Sequence, residues 1–384
     1  MNTVRPLYTD GKKTSPILRD LIGDTVCMNP DFIFNRLTLS NGCKQNRYST
    51  VEHQTPFEGI CVVPFKDGFD GFGDVQDFRG NGSRKIDGAA YLQALDRAVS
   101  DRWDPDRTQL VFMSSGFDSR LISHFIRRNY EADPAPILFV CWGAECEAFE
   151  AIMKYQGWDP AQYFSIATDL EHIIYSFRFC DAWKHANGAS QNFAASMFHV
   201  ALDYLRETGR IPVDPDDLNI WTGLGNNEQM TWPGGLAQVY KKLYYGFQMR
   251  MWGAIDGADT MQPLLDAEVG KVVFSGRRSN GARRRLLAMA DPKLASLPRT
   301  KTSRKSIPGK DLAQMVADFK GSFYYRYVER VPDPGFNKSI FLYDGRQKKH
   351  HEFFRKWTVA SLVEKLIKKG IEIDGPIGLN TGKK

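Results

Sequence analysis

Residues 110–128 carry the side chains of this chain whose types and spacing are best suited to chemistry. An apolar run ends at Met113, and a group of mostly small and polar residues then leads directly into a helical pattern: Ser114, Ser115, Gly116, Phe117, Asp118 and Ser119. Small residues let a turn approach a ligand closely, and the unpaired N–H groups at the start of a helix attract phosphate. The hydroxyls of Ser114 and Ser119 can add further hydrogen bonds.

Asp118 is the charged member of this group, and two interpretations of it remain open. A carboxylate would repel a bare phosphate, so its position beside one favours a role as a ligand of Mg²⁺. The alternative is structural: Asp118 or Ser119 caps the helix, and the serines form a tight turn. A cap accounts for the start of the helix but not for the concentration of small polar residues.

A strand and a helix must hold this loop, and the surrounding sequence repeats that alternation. Apolar runs predict buried strands at 109–113, 137–142, 162–167 and 218–222. Helical spacing of apolar residues predicts helices at 118–128, 145–156 and 192–206, after an earlier helix that Asp87 caps. The alternation is typical of an α/β fold, in which helices sandwich a parallel sheet and ligands bind beyond the carboxyl ends of the strands.

The two ends of the chain differ from this central part. Residues 1–86 show little helical periodicity and contain two short candidate strands, at 32–39 and 60–64, which favours a small β-rich N-terminal region. After about residue 235 helical patterns dominate, at 236–252 and 358–369. We therefore expect two parts, 1–86 and 87–384, the second with a helical C-terminal portion.

The composition excludes several classes of protein. A chain of 384 residues with 42% hydrophobic side chains is globular, with about two or three domains. It has no apolar run near the roughly 18–20 residues that span a membrane, and no apolar signal core near its start. The six cysteines form no CxxC pair, which argues against a zinc site or disulfide scaffold and favours a cytoplasmic location. A net charge of +6 permits a polyanionic partner without requiring one.

The segment SSGFDSRLI, residues 114–122, resembles the SGGxDS pyrophosphate loop of the ATP pyrophosphatases. The resemblance is greatest to the synthetase domain of asparagine synthetase and its β-lactam synthetase and lasso-peptide cyclase relatives. Three later segments agree in order: WTGLGNNE at 221–228 resembles SGxGxDE, QPLLD at 262–266 resembles PFLD, and Leu297-Pro298 with Arg304-Lys305 resembles LP…RxK. The resemblance covers roughly 88–310 and implies an adenine-nucleotide α-hydrolase-like fold.

The same resemblance implies an ATP-dependent ligase. Such an enzyme adenylates a carboxylate or carbonyl oxygen, releases pyrophosphate and forms an amide or related C–N bond. ATP would lie on residues 114–119 and Gly223, with adenine near Phe112 and Cys141, and Mg²⁺ on Asp118 and Asn227. Lys305 would neutralise charge on the α-phosphate, and Glu228 matches the retained acidic position. The expected partners are a small-molecule acid and an amine.

Several positions depart from the family pattern. Ser115 stands where glycine is usual. Leu224 stands where amide-forming members have Glu or Tyr, and a leucine side chain cannot accept a proton. Asn227 replaces an aspartate, which predicts weaker Mg²⁺ binding. The first cysteine is Cys27, so we expect no glutamine hydrolysis, although residues 57–60 (FEGI) resemble the end of a glutaminase domain and suggest a shortened relic.

Two other functions remain open. Basic residues between 277 and 310 could hold DNA or RNA, which would make the chain a nucleic-acid-modifying enzyme with the same ATP chemistry. Leu224 and Asn227 instead favour a catalytically degenerate nucleotide-binding partner protein. The sequence leaves the oligomeric state open, a homo-oligomer included.

Overall fold

The computed structural model describes residues 7–27, 29, 55, 57–80, 82–166, 201–245, 259–300, 317 and 370–374. At the centre of these residues is a five-stranded parallel sheet. Its strands are β5 (Thr108–Phe112), β6 (Ile137–Trp142), β7 (Tyr163–Ile166), β8 (Leu218–Trp221) and β9 (Asp259–Met261). They lie side by side in the order β7-β6-β5-β8-β9. A parallel sheet with helices between its strands is what the α/β prediction required.

The three middle strands are buried along almost their whole length. All residues of β8, residues 109–112 of β5 and residues 137–141 of β6 are buried. Because successive side chains of a strand point to opposite faces, both faces of the sheet are covered here. Leu110 lies between Leu138 and Ile220 in the register of the sheet.

The order of the strands reverses at one point of the sheet, where a ligand-binding crevice is expected. From β5 the chain adds β6 and then β7 on one side, and it later returns to add β8 and β9 on the other side. Where successive strands are added on opposite sides, the loops at the carboxyl ends diverge and leave room for a ligand. That point lies between β5 and β8, so residues 113–116 and 222–225 border it.

The predicted helices are present wherever the structure describes their residues, and further helices occur that were not predicted individually. Asp87 caps Gly88–Ser100 by accepting a hydrogen bond from the Ala90 N–H, as expected. The other long helices are Phe117–Ala132, Cys146–Tyr155, Leu236–Tyr245, Ala267–Ser275 and Asn280–Ala290, and residues 201–207 are also helical. None of the described helices has the length and apolar character needed to cross a membrane.

One strand of the sheet was not predicted, and some predicted elements lie outside the described residues. The three-residue strand β9 contains a charged and a hydroxyl residue, Asp259 and Thr260, so it gives no apolar run. The predicted strand at 32–39 and the helix at 358–369 lie outside the described residues, as do parts of the helices at 192–206 and 236–252.

The N-terminal region contains short strands, as predicted. An antiparallel sheet joins β1 (Tyr8–Thr9), β2 (Thr14–Ser15) and β4 (Cys61–Val62), and β3 (Thr25–Cys27) pairs in parallel with β10 (Glu372–Asp374). Two short helices follow in this region, at Phe65–Gly68 and Phe72–Gln76. Two other short helices lie later in the chain, at Asn226–Thr231 and Pro292–Ser296. The division into 1–86 and 87–384 stays a prediction.

Aromatic side chains join the N-terminal region to the rest of the chain. The ring of Phe65 contacts that of Tyr244 at 5.4 Å between centroids, and Phe69 contacts Tyr240 at 5.7 Å. The hydroxyl of Tyr244 also donates to the carbonyl oxygen of Val63 at 3.0 Å. Such edge-on aromatic pairs add to the energy of apolar burial, so this region packs on the helix 236–245 as part of a common core.

Gln109 is a polar residue buried in the middle of the sheet. Its amide nitrogen donates to the carbonyl oxygens of Asp104 and Arg107, at 2.6 and 2.7 Å. Its amide oxygen accepts the indole N–H of Trp221 from the neighbouring strand, at 2.7 Å. Buried polar groups are tolerated when they are paired in this way, and the network fixes β5 against β8.

We expect Gln109→Met to destabilise the protein by about 2–4 kcal/mol, because it leaves the buried indole N–H of Trp221 without this acceptor and removes two hydrogen bonds to carbonyl oxygens. Urea denaturation followed by circular dichroism measures the change. Gln93→Met, at an exposed position of the helix 88–100, is the control and should shift the midpoint little. Equal midpoints for the two variants would contradict the assigned role of Gln109.

Candidate functional site

The loop between β5 and the helix Phe117–Ala132 is closed by its own side chains. The hydroxyls of Ser114 and Ser119 are hydrogen-bonded at 2.9 Å, and the Gly116 N–H donates to the Ser114 hydroxyl at 3.1 Å. Gly116 is the residue before the helix and has an extended backbone, at φ −72° and ψ 156°. These bonds hold the start of the helix at the carboxyl edge of the sheet, so its first N–H groups border the crevice.

A carboxylate already occupies one N–H group of this loop. Glu145, which follows β6, accepts a hydrogen bond from the Ser115 N–H. On the other side, the Ser115 hydroxyl accepts the N–H of Thr300 at 3.1 Å. The loop therefore binds a negatively charged oxygen in the structure, and a phosphate group would compete with Glu145 for the same donor.

The segment 297–300 is fixed against the loop by a buried arginine. Arg120 is fully buried, and its guanidinium donates to the carbonyl oxygens of Leu294, Leu297 and Pro298. The guanidinium of Arg299 then lies 4.4 Å from the centre of the Phe117 ring, which places a cation at the start of the helix.

Asp118 lies at the junction of three segments. Its Oδ1 accepts the side-chain amide of Asn226 at 2.8 Å, and its Oδ2 accepts Nη1 of Arg283 at 2.8 Å. The Asp118 side chain is 15% exposed and that of Arg283 is 20% exposed. Burial raises the pKa of the Asp118 carboxyl, while the Arg283 charge and the hydrogen bonds from Arg283 and Asn226 oppose that rise.

The turn after β8 approaches the same helix closely. A Cβ atom at Gly223 would lie 2.8 Å from the backbone nitrogen of Ser119, so only glycine fits there. Gly225 has a φ of +97°, which glycine adopts readily and which directs the chain into the helix Asn226–Thr231. The buried Thr222 Oγ1 and Asn226 Oδ1 have no hydrogen-bond partner among the residues that the structure describes. Unpaired polar atoms of this kind are candidates for contact with a ligand or water.

Glu228 is buried in the first turn of the helix Asn226–Thr231. Burial raises the pKa of its carboxyl, and the nearby Asp118 charge adds to the rise while backbone N–H groups and Arg283 oppose it. Leu224 is partly buried and packs against the hydrophobic core. The sequence-predicted acidic position therefore lies in the same cluster as Asp118.

The two residues predicted to lie near adenine border the same edge of the sheet. Phe112 is buried at the end of β5, and its ring meets that of Trp142 edge-on at 5.5 Å. Cys141 is buried near the end of β6, and its thiol donates to the carbonyl oxygen of Trp142. The interaction between the thiols of Cys141 and Cys146 raises the pKa of Cys141 and lowers that of Cys146. Their contact with adenine stays a prediction.

The donors around Asp118 do not fit a magnesium ion held by Asp118 and Asn227. Both oxygens of Asp118 are bonded to donors of the protein, and the amide beside it belongs to Asn226, while Asn227 is exposed. Across the described residues, no group of three or more His, Cys, Asp or Glu side chains could hold a metal ion. Lys305, the predicted catalytic lysine, lies outside the described residues.

The sequence prediction missed Arg283, Asn226 and Glu145 as members of the site. Arg283 belongs to a basic stretch that could equally be a nucleic-acid surface, and only the packing of the helix 280–290 selects it. Two arginines of that stretch have partners within the protein: Arg283 pairs with Asp118, and Arg278 donates to the carbonyl oxygens of Gln229, Trp232 and Gly234.

No protein-family model matches the chain, and a search of curated proteins finds no significant match. The resemblance to asparagine synthetase therefore depends on the sequence segments that carry it.

We expect Glu145→Gln to bind inorganic pyrophosphate about 3–10-fold more tightly than the unmodified chain, because the loop N–H loses its charged competitor and the anion loses a repulsive neighbour. Isothermal titration calorimetry measures the affinity. Glu147→Gln, an exposed neighbour two residues along, is the matched control. If the two variants bind pyrophosphate equally, the Ser115 N–H is not part of an anion site.

Glu228→Gln should stabilise the protein at neutral pH, with the effect growing as pH rises. The folded chain holds the Glu228 proton more tightly than the unfolded chain does, so its ionisation costs stability as pH rises above the ordinary pKa of 4.5. We expect a gain in Tm of about 2–4 °C at pH 8 and a smaller gain at pH 5. Thermal unfolding of both proteins across this range tests it, with exposed Glu58→Gln as the control. A pH-independent difference would contradict it.

Proposed function

We propose that the chain is an ATP-dependent synthetase of the asparagine-synthetase type. It would transfer AMP from ATP to a carboxylate or carbonyl oxygen, release pyrophosphate, and then join the activated group to a nitrogen nucleophile. The anion-binding loop at the crevice between β5 and β8 is the observation that supports this best. The site combines loop N–H donors, the start of a long helix and two arginines, all of which suit a triphosphate.

In the first step, an oxygen of the acid attacks the α-phosphorus of ATP. An O–P bond forms, the bond to the bridging oxygen breaks, and pyrophosphate leaves with that electron pair. The Ser115 N–H and the Arg299 guanidinium are suited to stabilising the charge on the phosphates, and Lys305 is expected to act on the α-phosphate. Much of the rate would come from holding the two reactants in line.

In the second step, a nitrogen attacks the acyl carbon, the C–N bond forms and AMP leaves. The nitrogen must lose a proton, and Leu224 cannot accept it. Glu228 is one candidate acceptor, because its raised pKa makes its carboxylate a stronger base than an exposed glutamate. A nucleophile that arrives uncharged, such as ammonia or a weakly basic amide, is the other solution.

A second candidate function is nucleotide binding without catalysis. The observation that favours it is the pairing of Asp118 with Arg283, which leaves the predicted metal position without free carboxylate oxygens. In that case the chain would act as a partner protein. The two functions share the nucleotide site and differ in whether AMP is transferred.

Introducing a negative charge at residue 116 by substitution tests the nucleotide site. Gly116 has an extended backbone, and an added Cβ atom would meet only the Ser114 hydroxyl, at 3.0 Å. Asp and Asn both cap helices well at such a position, and they differ in charge rather than shape. We expect Gly116→Asp to bind ATP at least about 10-fold more weakly than Gly116→Asn, by repulsion of the phosphates. Calorimetry with ATP measures both.

Exchange of radiolabelled pyrophosphate into ATP, assayed with a panel of carboxylic acids, then separates the two functions. A synthetase catalyses exchange with at least one acid, and Gly116→Asp abolishes it. ATP binding without exchange favours the partner protein. Equal ATP affinities for Gly116→Asp and Gly116→Asn would remove the proposed nucleotide site itself.

A further inference from the structure

The position beside Asp118 that a metal ion would take contains a guanidinium group instead. Nη1 of Arg283 lies 2.8 Å from Asp118 Oδ2, and Nη2 of Arg283 lies 2.9 Å from the side-chain oxygen of Asn280. Asn226 donates to the remaining oxygen of Asp118 at 2.8 Å. The carboxylate is thus held between two donors, and the guanidinium between two acceptors.

We propose that Arg283 is a built-in cation of the nucleotide site, replacing a metal ion on Asp118 and making nucleotide binding independent of a metal bound there. This inference assumes the nucleotide site described under the proposed function. Asp118 then acts as a positioning residue, which orients the guanidinium toward the edge of the sheet where the phosphates are expected. The chemical class of the ligand is a nucleoside triphosphate whose charge is met by arginine rather than by a bound metal.

Burial makes the ion pair hard to open. Both side chains are at least four-fifths buried, and a buried charge that loses its partner is strongly unfavourable. A divalent ion could enter only if Arg283 moved away, which would leave the guanidinium without Asp118. Arginine is also more weakly hydrated than a metal ion or a lysine, so it suits a partly buried position of this kind.

The backbone that carries Arg283 is also fixed. Its helix, Asn280–Ala290, packs against the helices Phe117–Ala132 and Gly88–Ser100, and Ala282, Leu286 and Leu287 on that helix are fully buried. Ala282 immediately precedes Arg283, so the start of the side chain cannot shift without unpacking the helix. The guanidinium is therefore presented by a rigid element rather than by a loop.

The neighbouring arginine supplies a matched control. Arg284 lies on the same helix and is exposed, so Arg284→Gln removes the same charge from the chain without touching Asp118. Arg283→Gln keeps a polar side chain but frees Asp118 Oδ2. The double variant Asp118→Asn with Arg283→Gln removes both buried charges, and it serves if Arg283→Gln alone does not fold.

The first measurement is the affinity for ATP in EDTA and in 
millimolar Mg²⁺, by calorimetry. We expect the unmodified chain and Arg284→Gln to bind ATP in EDTA within about 3-fold of their affinity with Mg²⁺, since arginine already meets the phosphate charge. Arg283→Gln should lose about 30-fold or more in EDTA and recover most of it in Mg²⁺, because the freed carboxylate can then hold the metal. The double variant should be weak in both. An Arg283→Gln variant that binds like Arg284→Gln would overturn the proposal.

The second measurement needs no nucleotide. Binding of Mn²⁺ to the protein alone, followed by electron paramagnetic resonance, should be the same for the unmodified chain and Asp118→Asn. If Asp118→Asn removes a Mn²⁺ site, Asp118 is a metal ligand and the proposal is wrong whatever ATP does. If Mn²⁺ binding is unchanged but no form of the protein binds ATP, the proposed function fails and the role of Arg283 as a nucleotide-site cation fails with it, while the metal-free state of Asp118 stands.

Discussion

Asp118 holds a negative charge where water is largely excluded, and the junction around it neutralises that charge. Its partners come from distant parts of the chain: Asn226 from the turn after β8, and Arg283 from the helix 280–290. Because an unpaired buried carboxylate is costly, these segments must meet for the fold to be stable. Gly223 approaches Ser119 closely in the same region. The segments that follow β5 and β8 are thus joined through the Asp118 cluster and through close backbone packing at Gly223.

The sequence predicted the sheet well because burial of a parallel strand leaves a strong local signal. Runs such as ILFVCW at 137–142 are apolar on every residue, and this strand was confirmed with the same bounds. β9 escaped prediction because it is short and at the edge of the sheet, where neighbouring strands rather than its own residues decide its conformation. The adenine-nucleotide α-hydrolase-like character of the fold stays a prediction.

At the site, the sequence predicted which segments meet but not which side chains touch. The loop 114–119 and Gly223 were both expected at the nucleotide site, and the structure brings Gly223 close to Ser119. Asn227 was expected to share a Mg²⁺ ion with Asp118, yet the side chain that contacts Asp118 is that of Asn226. The helix begins directly after Gly225, and successive side chains of a helix point about 100° apart, so Asn226 and Asn227 face different directions. Arg283 lies far along the sequence from Asp118, and nothing in local periodicity selects it from its basic neighbours.

The pairing of β3 with β10 has a consequence for how the chain folds. Thr25–Cys27 forms its two-stranded sheet with Glu372–Asp374, across almost the whole length of the sequence. Closing so long a loop has a larger entropic cost than forming a local contact, and pairings of high sequence separation form slowly. On the ribosome, β3 emerges long before its partner exists, so this edge must wait, unpaired, until synthesis reaches β10. The central sheet, whose strands follow one another more closely, has no such delay and can assemble first.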